Sequence, residues 1–417
     1  MNFVGKAELG AWRVFTGCVG ALCWPVLRVL AAGRGESAST WRERLGVLPA
    51  GVPRGGIWVH GASVGEMSAL APFLRKAARR AGRKGVVVSA MTPAGKRRAR
   101  ELLGFPAVNL PLDCGPWVRR ALDRAAPRTV IVAETELWPV FVTEAARRAK
   151  LAWVNGRISD RSFPRYLMVR PLVREMLSKF DVLCVISGRD AERAVQLGAP
   201  SRRVRVTGNL KADLIVPASR PGGVPGGQWF VAGSTRPGEE EQVLAAFALV
   251  RKAHPRLRLC LAPRHLDRAG EVAALAQKSG FRVARRSSGP ARARLADVLL
   301  LDTHGELASF YRLATAAFVG GTLVPIGGHN VMEPAAAGVP VLFGPHTGNV
   351  REEAAGLVRS GGGYRVADGR ALAEALGRLV SSRTAEARAG ARARGFLRSR
   401  QGVARRVVAL LAREGLL

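Results

Sequence analysis

Residues 58–66 read WVHGASVGE, and two folds compete for them. Gly61-Ala62-Ser63-Val64-Gly65 has the G-x-S-x-G spacing of a hydrolase nucleophile elbow, where a strand turns into a helix and lifts a serine hydroxyl above a sheet. The neighbours suit that reading: IWVH (57–60) is a short apolar run, and EMSALAPFLRKAARRAG (66–82) has helical spacing. An elbow, however, follows a strand deep in its sheet and needs a histidine and an acid downstream. Here IWVH is the first strand-like run after the N-terminal segment, and the chain beyond it divides into two halves. The second reading makes Glu66 the working group. Glycines 61 and 65 permit a tight turn whose N–H groups open toward a ligand. A carboxylate in the first helical turn can take a proton from an attacking hydroxyl. The helix N-terminus then holds the Glu66 pKa down and keeps it ionised at neutral pH.

Outward from this stretch, apolar runs alternate with basic helical patterns. Candidate strands are IWVH (57–60), VVVSA (86–90), TVIVA (129–133), LAWVN (151–155), VLCVI (182–186) and VRVTG (204–208). After a Pro/Gly-rich connector, IVPASRPGGVPGGQ (215–228), come WFVAG (229–233), LRLCLA (257–262), DVLLLD (297–302), AAFVGG (316–321) and VPVLFG (339–344). Continuous apolar runs of this length fit parallel strands covered on both faces. The expected fold is α/β, with two Rossmann-like domains facing a cleft and ligands beyond the carboxyl ends of the strands. The boundaries read as follows: 1–34 an N-terminal membrane-anchor helix, 35–214 the first domain, 215–228 the linker, 229–395 the second domain, and 396–417 a C-terminal helix packing back on the first. The anchor reading rests on WRVFTGCVGALCWPVLRVLAA (12–32), whose uncharged core lies between Arg13 and Arg28 and is short for a full span; a buried helix and a cleaved signal peptide are the alternatives.

The formal charge of +34 points to anionic partners or to solvated basic helix faces. Three tyrosines and arginines spread along the whole chain argue against a nucleic-acid-binding surface. The five cysteines, at 18, 23, 114, 184 and 260, form no CxxC pair, and the six histidines show no HExxH spacing, so no metal site is expected.

The polar clusters follow the strands. ETELWP (134–139) sets Glu134 and Glu136 behind TVIVA. NGRISDRSFPRY (155–166) offers Arg157, Ser159, Arg161 and Arg165 as a clamp for phosphate groups. In VAGSTRPGEEE (231–241), the turn Gly233-Ser234-Thr235 can cradle a phosphoryl group. LAPRHLDR (261–268) places Arg264 for a phosphate or carboxylate, beside His265. In GGTLVPIGGHNVMEPAAAGVPVLFGP (320–345), Gly328 belongs to a glycine loop, Asn330 holds a phosphate or the loop itself, and Glu333 can accept both hydroxyls of a ribose. GPHTGNVREEA (344–354) adds Asn349 and Glu352 on the same edge.

Taken in order, GASVGE, ETELWP, NGRISDRS, GNLKAD, AGSTRPGEE, APRH and GGHNVMEP resemble the 3-deoxy-D-manno-octulosonic acid (Kdo) transferases across nearly the whole chain. The resemblance implies a GT-B glycosyltransferase that passes Kdo from CMP-Kdo, with inversion, to the 6′-hydroxyl of an anionic lipid A precursor of the lipid IVA type. It implies no cofactor and no metal, CMP-Kdo being a substrate. It also implies work at a membrane surface, on the cytoplasmic face of the bacterial inner membrane. By resemblance Glu66 is the general base. Ser63, Gly65, Glu134, Glu136, Arg157, Ser159 and Arg161 fall on the acceptor side. Lys211, Gly233, Ser234, Thr235, Arg264, His265, Gly328, Asn330, Glu333, Asn349 and Glu352 fall on the donor side. The competing expectation is another GT-B enzyme, a UDP-sugar transferase or epimerase.

Overall fold

The computed structural model describes residues 37–82, 85–213 and 221–417, together with Gly10. The expected anchor and the first part of the connector lie outside the described residues. No helix among the described residues is long and apolar enough to cross a membrane. The chain forms two compact units, Met1–Leu214 with Gly402–Leu417, and Ile215–Gln401.

The first unit is built on a sheet of seven strands: β1 Ile57–His60, β2 Val86–Ala90, β3 Ala107–Asn109, β4 Thr129–Ala133, β5 Lys150–Gly156, β6 Val182–Val185 and β7 Val204–Val206. Every pairing is parallel and the order is β3-β2-β1-β4-β5-β6-β7. β1, β2, β4 and β6 are buried along their whole length, which their unbroken apolar sequence requires when helices cover both faces. The helix Val64–Ala81 shows the complementary pattern. It buries Met67, Leu70, Phe73, Leu74 and Ala77, and turns Arg75, Lys76, Arg79 and Arg80 to solvent. Much of the basic surplus is spent on such faces.

The second unit repeats the plan with β8 Trp229–Thr235, β9 Arg258–Pro263, β10 Val283–Arg285, β11 Val298–Leu300, β12 Ala314–Val319, β13 Val341–Phe343 and β14 Gly363–Arg365, again all parallel, in the order β10-β11-β9-β8-β12-β13-β14. Chain order reverses between β1 and β4 in one sheet and between β8 and β12 in the other. Those two switch points are where such sheets open a crevice at their carboxyl ends.

β3, β10 and β14 are absent from the sequence-based set. Each is an edge strand of three residues, with little periodicity to read; the equally short edge strand β7 was read because it falls within VRVTG (204–208). The C-terminal helix does not begin at 396. The helix Arg383–Arg400 belongs to the second unit, Gly402 turns the chain at φ 85°, and the helix Val403–Arg413 packs on Val64–Ala81 in the first. Asp213 fixes that return by accepting the N–H groups of Gly402 and Ala404, both at 2.6 Å, and Thr129 Oγ1 donates to the carbonyl of the buried Leu416 at 2.8 Å. Asp213→Ala leaves two helix-start donors without their carboxylate. It is expected to lower stability by about 1–2 kcal/mol, read as a fall in thermal midpoint.

Candidate active site

Three carboxylates converge at the switch point of the first sheet. Ser63, in extended backbone at φ −120°, is the N-cap of Val64–Ala81. Its hydroxyl accepts the Glu66 N–H at 3.4 Å and donates to Glu66 Oε1 at 3.0 Å, while the Ala62 N–H donates to Glu66 Oε2 at 2.8 Å. This is a variant of a capping box in which the backbone donor to the carboxylate is Ala62, one residue before the N-cap Ser63. It disposes of the elbow, because Ser63 carries no backbone strain and its hydroxyl is committed to Glu66. Neither Gly61 nor Gly65 adopts a left-handed φ, so the expected glycine turn is a helix cap instead.

Just beyond β4, Glu134 sits at φ 49° and pairs with Lys211 Nζ at 3.0 Å. Asn155, at φ 56°, holds the far side by accepting the Leu210 N–H at 2.8 Å. Glu136 accepts from Trp138 Nε1 at 2.9 Å, and His60 Nε2 lies 3.5 Å from the same oxygen. His60 is fully buried at the end of β1, held at Nδ1 by Ser89 Oγ at 2.9 Å; Ser89 in turn accepts from Trp58 Nε1 at 2.8 Å.

The electrostatics correct one expectation. Burial, the charge of Glu134 and then that of Glu136 push the Glu66 pKa up to about 7 from an ordinary 4.5, against the lowering effect of the Ala62 and Ser63 hydrogen bonds. The helix N-terminus is outweighed because two other carboxylates share a space with little water. Burial also works to raise Glu136, but His60 and Trp138 hold it below the ordinary carboxylate value.

In the loop after β5, Ser159 serves as a local cap: its hydroxyl accepts the Ser162 N–H at 3.1 Å and meets the Ser162 hydroxyl at 2.8 Å. Arg157 is half-buried and Arg161 and Arg165 are exposed. Tyr166, on the helix Ser162–Met168 that this cap begins, is pushed up in pKa by burial and by Glu136.

The second unit gathers cations at its own switch point. Ser234 follows Gly233 at φ 59°, and Thr235 is buried. Gly233 has no room for a side chain, since a Cβ would collide with the Tyr311 hydroxyl. Arg236, which the motif reading passed over, donates from Nε to His329 Nε2 at 3.1 Å, and its Nη1 lies 2.7 Å from His265 Nε2. Burial, Arg236, Arg264 and His265 push His329 down to about 4, so it is neutral and accepts that bond at ordinary pH. Arg264 is exposed beside them.

Several donor-side candidates turn out to build the loop itself. The Asn330 side chain donates to Glu333 Oε1 at 3.0 Å and accepts the Met332 N–H at 3.1 Å. Asn349 donates to the Ile326 carbonyl at 3.0 Å, and Gly328, at φ 87°, donates to the Gly321 carbonyl at 2.7 Å. Glu352 is exposed in the first turn of the helix Arg351–Ser360. Lys211, placed with the donor groups by resemblance, belongs to the first unit and to Glu134. Position at the carboxyl end of a parallel strand was the signal that could have singled out His60 and, one residue past β8, Arg236.

Residues 39–214 match the family model described as 3-Deoxy-D-manno-octulosonic-acid transferase (kdotransferase). The 3-deoxy-D-manno-octulosonic acid transferase of Haemophilus influenzae is 30% identical over 418 residues, covering 96% of this chain and 98% of its own. That of Bordetella pertussis is 34% identical over 371 residues, covering 84% and 86%. Among solved structures, the UDP-GlcNAc 2-epimerase from Neisseria meningitidis bound to UDP-GlcNAc is similar with a TM-score of 0.60 and 12% identity, over 86% of this chain and 100% of that one. At that identity the likeness concerns the fold alone.

Two outcomes follow from the raised Glu66 pKa. The folded chain holds the Glu66 proton more tightly than the unfolded chain does, so the stability this group contributes is present below pH 4.5 and lost as pH rises through about 7. Glu66→Gln is therefore expected to stabilise the protein by about 1–3 kcal/mol at pH 8.5 and not at pH 4, in parallel thermal melts. Glu134→Gln removes the larger of the two repulsions and is expected to move the Glu66 titration to lower pH, observed by carboxyl carbon NMR.

Proposed function

The chain belongs to the 3-deoxy-D-manno-octulosonic acid transferase family, and from that membership we propose that it transfers Kdo from CMP-Kdo to the 6′-hydroxyl of a lipid A precursor of the lipid IVA type, in lipopolysaccharide core assembly. The observation that carries the reading is Glu66, a carboxylate with pKa raised to about 7 at the mouth of a parallel sheet. A base tuned close to the working pH combines an adequate ionised fraction with real proton affinity. In the step, the acceptor hydroxyl oxygen bonds to C2 of Kdo as the bond from C2 to the CMP phosphate oxygen breaks. The proton passes to Glu66, the electron pair leaves with CMP, and the anomeric centre inverts. The departing phosphate monoester needs little protonation. Positive charge in the second unit, from Arg236 and Arg264, answers the charge that develops on it. CMP-Kdo acts as a substrate, and this reading gives no role to a cofactor or metal.

The acceptor's setting has support in the first unit. Leu167, Met168 and Val169 are exposed, Met168 by 77%, with Arg165 and Arg170 on either side. Apolar side chains flanked by arginines suit an anionic lipid surface. Tyr166 in the same stretch feels the Glu136 charge, which ties that surface to the carboxylate cluster. We propose that the protein works at the cytoplasmic face of the inner membrane.

With labelled CMP-Kdo and lipid IVA, Glu66→Ala is expected to lose about 10²–10⁴-fold in kcat, and the wild-type rate is expected to climb with pH to a plateau above about 7. Retained transfer by Glu66→Ala would remove the base, and turnover of UDP-sugars in place of CMP-Kdo would overturn the donor. Met168→Asp is expected to weaken sedimentation with vesicles rich in anionic phospholipid several-fold, with activity on a detergent-dispersed acceptor kept.

A further inference from the structure

The glycine-rich loop after β12 is held by an anion that the protein supplies itself. Glu239 is fully buried at the start of the helix Glu240–Ala253, and its carboxylate accepts four backbone N–H groups. Oε2 takes those of Arg236 at 3.0 Å and Gly321 at 2.7 Å; Oε1 takes those of Thr322 at 2.9 Å and Leu323 at 2.8 Å. Three of the donors are consecutive. Successive N–H groups of this kind make the concave nest in which many loops bind a ligand's phosphate. Here the nest is filled from within. A buried carboxylate is tolerable only when its lone pairs are met, and four donors meet them. The Thr322 hydroxyl adds a second pin, donating to the Val319 carbonyl at 2.6 Å and accepting the Gly344 N–H at 2.8 Å. Arg236, in the same turn as Glu239, reaches the far end of the loop through His329 at 3.1 Å. One turn therefore grips both ends of the segment that carries His329 and Asn330.

We infer that Glu239 is a positioning residue of the donor half: its carboxylate occupies the nest of residues 321–323, so the donor's anionic groups are met by Arg236, Arg264 and the backbone N–H of Asn330, those of Gly328 and His329 being given to the Gly321 and Gly320 carbonyls. The inference rests on the donor reading of the second unit and adds to it where the anion does not bind. Without Glu239, three adjacent N–H groups lose their partner and the loop loses its register relative to Arg236.

Hydrogen exchange on the wild-type chain, with and without CMP, tests this directly. The amides of 321–323 are expected to be protected in the ligand-free protein and to change less than about twofold with saturating CMP, while those of Asn330 and His265 slow by about tenfold or more. Glu239→Gln keeps one acceptor oxygen of two. It is expected to raise the KM for CMP-Kdo by about tenfold or more, to leave the KM for the lipid acceptor unchanged, and to speed exchange at 321–323. Glu239→Asp is expected to recover part of the donor KM, and sodium formate to restore CMP binding to Glu239→Ala where equal sodium chloride does not. Fast exchange of 321–323 in the free chain, with protection arriving only with CMP, overturns the inference, as does a wild-type donor KM in Glu239→Gln. Failure of the wild-type chain to bind CMP strikes the donor reading instead, and leaves the free-chain exchange to judge the clasp. If Glu239→Gln does not fold, the wild-type exchange pattern alone decides.

Discussion

Like charges crowded into a partly buried space repel, and the first unit is arranged around that repulsion. Glu66, Glu134 and Glu136 meet at one switch point because two parallel strands that are neighbours in space, β1 and β4, both end there. Each carboxylate is held by a different device. Glu66 has the cap bonds of Ala62 and Ser63, Glu134 has Lys211, and Glu136 has Trp138 and His60. Glu66 has only the two cap bonds against its burial and the neighbouring charges, and its pKa rises. The asymmetry sets the proton affinity of Glu66 apart from that of Glu136, although the two side chains are chemically identical.

The second unit repeats the topology with the opposite charge. Its switch point gathers Arg236 and Arg264 with two histidines, and the acid that belongs there, Glu239, is turned inward onto backbone amides. A negative charge left facing Arg236 and Arg264 would cancel part of their field; buried on four N–H groups it orders the loop. Both units also place strained residues at strand ends. Glu134, Asn155 and Ser234 adopt left-handed φ of 49°, 56° and 59° without being glycine, at a cost on the order of 1–3 kcal/mol each. The strain falls where side chains must be aimed, and the packed strands beneath keep it in place.

The net charge of +34 carried less information than its distribution. On the helix Val64–Ala81 the basic residues make a solvated outer face. The informative arginines are the few beyond strand ends and those beside the exposed Leu167–Val169 stretch. A sum over the chain cannot separate these classes, because each arginine's effect depends on how much water surrounds it.

The sequence alone determined the class of fold and the order of its parts. Strands buried on both faces must be apolar throughout, so the central strands could be read almost to the residue, and the glycine-rich and charged motifs fell at their carboxyl ends as the topology demands. Three of the four edge strands, each only three residues long, escaped because so short a segment carries little period. What only the tertiary structure decided was the electrostatic state of the site and the task of each polar group. The sign of the Glu66 shift depends on carboxylates brought alongside by strand pairing. The pairing of Lys211 with Glu134 has the same origin, as do the contacts of His60, Arg236 and Glu239. A side chain's type is written in the chain, whereas its pKa and its hydrogen-bond partner are set by distance and by the exclusion of water, and those come into being only when remote segments are packed together.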